Sequence, residues 1–131
     1  MKLIKGIYQA SNVTFDSLNI RAQSYNWWTF VKQFSGKVVF NEHAYSTTTQ
    51  RHQYKVRQLM KELNVKIDIV CETRASLDDD QWTKLAIENY HEQIDKLQVL
   101  IDRPRSKHKN NLERRAQITE LQIRIQKLRK L

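Results

Sequence analysis

Two heptad seams near the C-terminal end constrain this chain more than any other feature. Ile87, Tyr90, Ile94, Leu97 and Ile101 recur at alternating steps of three and four, and so do Ile118, Leu121, Ile125 and Leu128. That spacing lays apolar side chains along one stripe of a helix. Between the seams stands Pro104, the only proline. A proline disfavours helical backbone at the residue before it, so the first helix is predicted to stop near Asp102. Asp78-Asp79-Asp80 is predicted to open it, because carboxylates suit the positive end of a helix dipole. A polar turn is predicted in RPRSKHKN (103–110), and a second helix from about Asn111 to the end. Two helices of similar length about a short turn read as an antiparallel helical hairpin. The seams are too short to stand alone as a coiled coil. They need the rest of the chain, a partner, or a second copy in a homodimer.

Residues 1–77 read differently. TTQRHQYKVRQLMKEL (48–63) carries Tyr54 (or His52), Val56, Leu59, Met60 and Leu63 at helical spacing, with Asn64 as its stop. Val65–Val70 alternates like a half-buried strand. LIKGIYQ (3–9) and KVVFN (37–41) are further predicted strands. SYNWWTFVKQF (24–34) admits two readings. Its aromatic and β-branched content favours a strand, paired with 37–41 through Ser35-Gly36. Ser24 can also cap a short helix that puts Trp27, Val31 and Phe34 on one face. The hairpin is preferred. The expected fold class is α+β: a small sheet with one packed helix (1–77), then a C-terminal antiparallel helical hairpin (78–131).

The chain carries a net charge of +9, unevenly spread. Residues 1–77 hold 11 Lys/Arg against 5 Asp/Glu, residues 78–102 hold 2 against 7, and residues 103–131 hold 10 against 2. Such a basic excess on a small protein points to polyanionic partners. Six cations, Arg103, Arg105, Lys107, Lys109, Arg114 and Arg115, cluster about the expected hairpin turn. They read as a phosphate-binding knob, or as a solvated turn partly paired with the acidic helix. The single cysteine, Cys71, is expected to be a buried structural thiol in a reducing compartment. No window approaches the roughly 20 apolar residues of a spanning helix, and the N-terminal apolar stretch is too short for a signal peptide. A cytoplasmic protein without membrane contact is expected.

YSTTTQRHQYKVR (45–57) is the most informative short stretch. Four hydroxyl residues precede a predicted helix whose first turns carry Arg51, Lys55 and Arg57 where a dipole prefers acids. One hydroxyl, from Thr47 or Thr48, suffices as a cap. If the strand after this helix runs parallel to 37–41, Asn41–His43, Thr47–His52 and Glu72–Arg74 converge at the carboxyl ends of both strands. Phosphate-binding groups favour that position. Trp27, Trp28, Phe30 and Phe34, among Arg21, Lys32 and Lys37, are read as core with one Trp exposed, the other reading being base stacking.

SYN at 24–26, the aromatic hairpin region and YSTTTQRH at 45–52 together resemble a small uncharacterised bacteriophage-type domain with the pattern SYN…YSxTTx(K/R)H. The resemblance spans residues 24–57. It brings no activity with it and implies an accessory protein of a phage or mobile element.

Enzyme signatures are absent: the sequence holds no GxxxxGK[ST], HExxH, CxxC or GxSxG. Gly6-Ile7-Tyr8 matches the first half of the GIY-YIG nuclease pattern, but no Tyr-Ile-Gly follows. Asp68 and Glu72 are spaced like paired strand carboxylates of a nuclease. His43, His52, Glu42 and Glu72 form an acid–base set if the crossover joins them. No catalytic residue, metal ligand or cofactor is assigned. The leading expectation is a non-catalytic protein that binds DNA or RNA through phosphates, using Thr47, Thr48, Thr49, Arg51, His52, Lys55 and the six-cation cluster. The alternative is a protein-interaction or inhibitor module whose helical hairpin binds an acidic host or phage protein. A nuclease or phosphotransferase is third.

Overall fold

The computed structural model describes residues 1–105 and 107–131. The polar turn expected at 103–110 includes Ser106, which lies outside the described residues. The chain divides into two compact units, Met1–Trp82 and Thr83–Leu131.

The first unit is an α+β sheet structure, larger than the small sheet expected. Its strands are β1 (Lys2–Ile4), β2 (Ile7–Ala10), β3 (Val13–Asp16), β4 (Arg21–Ser24), β5 (Trp28–Phe34), β6 (Lys37–Asn41) and β7 (Ile69–Cys71). They neighbour one another in chain order. Every pair is antiparallel except β6 and β7, which are parallel and joined through helix α1 (Thr47–Glu62).

LIKGIYQ is therefore two strands. Lys5 and Gly6 are both left-handed, at φ 51° and 82°, and reverse the chain between them. The positive φ favours glycine at position 6, where a β-carbon would also press on the exposed Leu18 side chain at 2.9 Å. Ser35-Gly36 makes the equivalent turn between β5 and β6, so the hairpin reading holds for 28–34, while Ser24 ends β4 and residues 25–27 turn the chain. The strands β3 and β4 were not expected. Their turn is held by the Asp16 carboxylate, which accepts from the backbone of Leu18 and Asn19 at 3.0 and 3.1 Å.

The core joins Val13, Phe15, Ala22, Trp28, Phe30, Val31, Val38 and Phe40 of the sheet to Val56 and Met60 of α1. The buried face of α1 follows the His52 form of the pattern, with Val56 and Met60 buried and Leu59 against the core, and not the Tyr54 form. Tyr54 and Leu63 are exposed, while Thr49, His52 and Gln53 are buried beside Val56 and Met60. Cys71 is buried, as expected.

The strand expected at Val65–Val70 shrinks to Ile69–Cys71 for a definite reason. Asp68 takes the Val38 N–H with its side-chain oxygen, at 2.8 Å, while its own N–H donates to the Val38 carbonyl at 2.9 Å. A carboxylate in the place of a backbone carbonyl ends the ladder.

The second unit holds most of α2 (Trp82–Ile101), together with α3 (His108–Arg129). Both seams lie inward. Tyr90, Ile101, Ile125 and Leu128 are buried, and Ile87, Ile94, Leu97, Ile118 and Leu121 are half-buried. The Arg124 guanidinium lies over the Tyr90 ring, 5.9 Å from its centroid. The third helix starts at His108, three residues earlier than expected.

Asp78-Asp79-Asp80 does not open α2, whose first turn holds no acid. Asp78 turns instead to the sheet. Its carboxylate accepts from the Thr29 hydroxyl at 2.6 Å, from Lys32 Nζ at 2.9 Å, and from Arg21. Ser76 Oγ accepts from the Thr29 N–H, and the Leu77 N–H donates to the Thr29 carbonyl, so residues 76–78 are fastened along β5. Burial alone would push the Asp78 carboxyl up. The hydrogen bonds from Thr29, Lys32 and Arg21 outweigh that and hold it at about 2. Asp78→Asn is expected to destabilise the protein by about 1 kcal/mol near neutral pH, the pairs being partly exposed. A carboxyl with a lowered folded pKa stabilises the fold above its unfolded value of 3.8. The stability difference from the parent, followed by urea unfolding, should shrink as pH falls from there toward about 2.

Candidate functional site

The parallel crossover brings three segments together. β6 ends at Asn41 and β7 at Cys71, paired side by side, and α1 begins six residues after Asn41. Residues 41–46, the first turns of α1 and residues 72–76 thus meet at the carboxyl ends of two parallel strands.

A buried polar network fixes them. Asn41 Nδ2 donates to the carbonyls of Thr73 at 2.8 Å and Ala75 at 3.3 Å. Asn41 Oδ1 accepts from the N–H groups of His43 and Thr73, each at 3.1 Å. From α1, Gln53 Nε2 donates to the carbonyls of Asn41 at 2.8 Å and His43 at 3.0 Å. Among the described residues no buried side-chain nitrogen or oxygen lacks a partner. Each amide is used to set the course of a loop, which is what makes a buried polar group tolerable.

The helix cap is Ser46 and neither Thr47 nor Thr48, the two expected. Ser46 Oγ accepts from the Thr49 N–H at 3.1 Å and donates to Thr49 Oγ1 at 3.0 Å. Thr49 is buried by this contact, while Thr47, Thr48, Arg51 and Lys55 are exposed. His52 is buried, and its Nδ1 lies 2.7 Å from Ser24 Oγ. Thr49 and His52 therefore do not present themselves to a ligand with the four exposed residues.

The Ser24–His52 pair has the spacing of a nucleophile and its base. Ser24, however, is buried and cannot meet a substrate. The pair ties the β4–β5 turn to α1. In that turn Tyr25 and Asn26 are both left-handed, at φ 55° and 63°, and the Tyr25 ring tilts over His52 with centroids 5.4 Å apart. SYN and the distant RH are thus parts of one joint. Burial lowers the His52 pKa, and the Lys55 charge lowers it further, against a hydrogen bond to the Ser11 backbone that raises it.

Beside this joint lies a group of aromatic side chains, in which the one exposed Trp was expected and the part of Tyr45 was not. Trp27 is 54% exposed and Tyr45 49% exposed, and they meet edge to face with centroids 5.7 Å apart. Behind them Trp28 is buried, 5.6 Å from Tyr45, and its Nε1 donates to the Arg74 carbonyl at 2.9 Å. His43 adds an edge contact to Tyr45 at 6.3 Å. Its pKa is lowered by burial; Glu72 raises it and Arg74 lowers it. The signal for this group was present in the sequence as aromatics beside a turn, but Tyr45 was read only as the residue before the cap.

The expected acid–base set is divided: His52 is locked to Ser24, while His43 lies near Glu72. Asp68 and Glu72 flank opposite ends of β7 and do not pair as carboxylates of one site. Among the described residues no group of three or more His, Cys, Asp or Glu side chains is placed to hold a metal ion, and no helix is long and apolar enough to cross a membrane.

In the second unit, Arg103, Arg105, Lys107 and Arg114 line one open concavity of about 350 Å³ together with Leu100 and Asn110. Lys109 and Arg115 are exposed nearby in sequence, on the first turns of α3. The cap residue of α3 is Lys107, which makes no side-chain cap hydrogen bond, and the first turn holds no acid. In comparisons with protein-family models, curated proteins and solved structures, nothing matches this chain.

His43 and His52 both have folded pKa values below the usual 6.5, so protonation favours the unfolded chain. Stability should be full above about pH 6.5 and decline on acidification below it. His52→Gln is expected to flatten that decline between about pH 7 and 5, measured by urea unfolding. Ser24→Ala should cost about 1–3 kcal/mol, since it strips a buried ring nitrogen of its partner. An unchanged pH profile in His52→Gln would remove His52 from this role.

Proposed function

We propose that this protein binds nucleic acid, DNA or RNA, through its phosphates, and that binding rather than bond cleavage is its activity. The observation that carries this reading is the concavity at the start of α3. Four cations line one open depression, and the first turn of α3, which holds no acid, adds the positive end of a helix dipole there. An anion suits both, and a nucleic-acid backbone supplies anions in a row. The exposed Thr47, Thr48, Arg51 and Lys55 on α1 suit the same chemistry, again on a helix with no acid in its first turn. In this reading α2 and α3 pair as an antiparallel hairpin, with Arg124 against Tyr90 as one contact between them, and the four-cation depression is its turn end. An accessory role in a phage or mobile element agrees with the SYN…YSxTTxRH pattern.

A second reading rests on a different observation. Val99, Leu112 and Ile123 are exposed on α2 and α3 at 60%, 55% and 48%. Exposed apolar side chains, two of them on the basic α3, suit an acidic protein partner, or a second copy of the chain. Competition separates the two, since excess polyanion displaces nucleic acid but leaves an apolar protein contact in place.

The test is fluorescence anisotropy with labelled DNA and RNA oligonucleotides at two salt concentrations. Affinity should fall steeply with salt. Arg105→Glu with Lys107→Glu should weaken binding about equally across sequences, and should reduce the salt slope by about one for each phosphate no longer neutralised. Arg51→Glu reports in the same way on the α1 end. Binding that ignores salt, or that none of these reversals weakens, would contradict the reading.

A further inference from the structure

The exposed rings of the first unit remain unexplained by phosphate contacts alone. Tyr25 and Trp27 come from the β4–β5 turn and Tyr45 from the loop before α1. Two of them are braced from below. Tyr25 adopts a left-handed conformation that costs a bulky side chain energy, and the Ser24–His52 contact beneath it keeps the turn in place. Tyr45 is braced by Trp28 and His43, yet half of it stays in solvent beside the even more exposed Trp27. Two exposed cations, Arg74 and Lys55, stand on the elements that carry or support these rings. Arg74 is exposed where its carbonyl receives the Trp28 indole. Lys55 stands one turn along α1 from His52, whose ring lies under Tyr25.

We infer that the exposed rings of Tyr25, Trp27 and Tyr45, with Lys55 and Arg74 on the elements about them, take the unpaired bases of a single-stranded nucleic acid. The inference rests on the phosphate-binding reading and narrows its ligand. Every base has a π-face that stacks on an exposed ring, whereas the bases of a duplex are already stacked on each other. Cations nearby suit the phosphates on either side of a stacked base. Charge decides the choice of occupant: residues 1–77 hold 11 Lys/Arg against 5 Asp/Glu, which favours a polyanion over a neutral peptide.

The experiment uses the full chain, a labelled single-stranded oligonucleotide of mixed sequence, and the same sequence as a duplex. The single strand should bind more tightly. Trp27→Ala and Tyr45→Ala should each weaken its binding about 5- to 150-fold, the range for removal of one stacked base. Duplex binding should weaken less. Trp27→Phe should restore most of the affinity, and near-ultraviolet circular dichroism checks that each variant is folded. Single-strand affinity unchanged in both alanine variants overturns the inference while leaving phosphate binding intact. So does equal binding of single strand and duplex by the parent, or an equal weakening of both in the variants. Failure of the parent to bind either oligonucleotide at low salt overturns the phosphate reading and this inference together.

Discussion

Asn41 is buried where two parallel strands end, and a buried amide there must fill its donors and acceptors from the chain itself. It does so with backbone groups of His43, Thr73 and Ala75. Those contacts hold the two loops that leave β6 and β7. Gln53 repeats the device from α1, binding the carbonyls of Asn41 and His43. Because these loops carry Tyr45 and Arg74, the arrangement of the exposed surface depends on two uncharged amides buried beneath it. Their hydrogen-bonding geometry matters more than their polarity: an aspartate at 41 would leave the carbonyls of Thr73 and Ala75 without a donor.

The sequence made some of this legible. Helical stripes survive translation into structure because one face must be buried, and the seams of α2 and α3 are inward where the spacing put them. The crossover was readable for a similar reason: β-rich KVVFN, a capped helix and an alternating strand leave few arrangements. Other parts were not readable. RAQS (21–24) has no aromatic or β-branched residue, yet it is β4, because its neighbours on both sides pair with it. LIKGIYQ looks continuous until the left-handed pair Lys5-Gly6 breaks it. Asp78-Asp79-Asp80 looked like the start of a helix because local charge favours it there. A distant hydroxyl and two distant cations on the sheet attract Asp78 more strongly, and no local rule contains them.

The same limit governs the candidate site. Ser46, Thr47, Thr48 and Thr49 look alike in the sequence, but burial sorts them into a cap, two exposed hydroxyls and a side chain that supports the cap. His52 sits among cations and reads as one of them, whereas its ring faces inward to Ser24, 28 residues away in the chain. The cations of 103–115 are the opposite case. Their clustering is local, so the sequence displayed it, and the structure adds that four of them share one depression. What long-range pairing decides was hidden, and what neighbouring residues decide was visible.

The proposed nucleic-acid binding is tested residue by residue by the amide chemical shifts of the uniformly labelled protein, recorded as an unlabelled single-stranded oligonucleotide is added. Shifts are expected at Tyr25–Trp27, His43–Ser46 and Arg74, and in a second set from Lys107 to Arg115. Shifts confined to the second set would deny the exposed rings a part in binding. A spectrum unmoved by the oligonucleotide at low salt would contradict nucleic-acid binding by either unit.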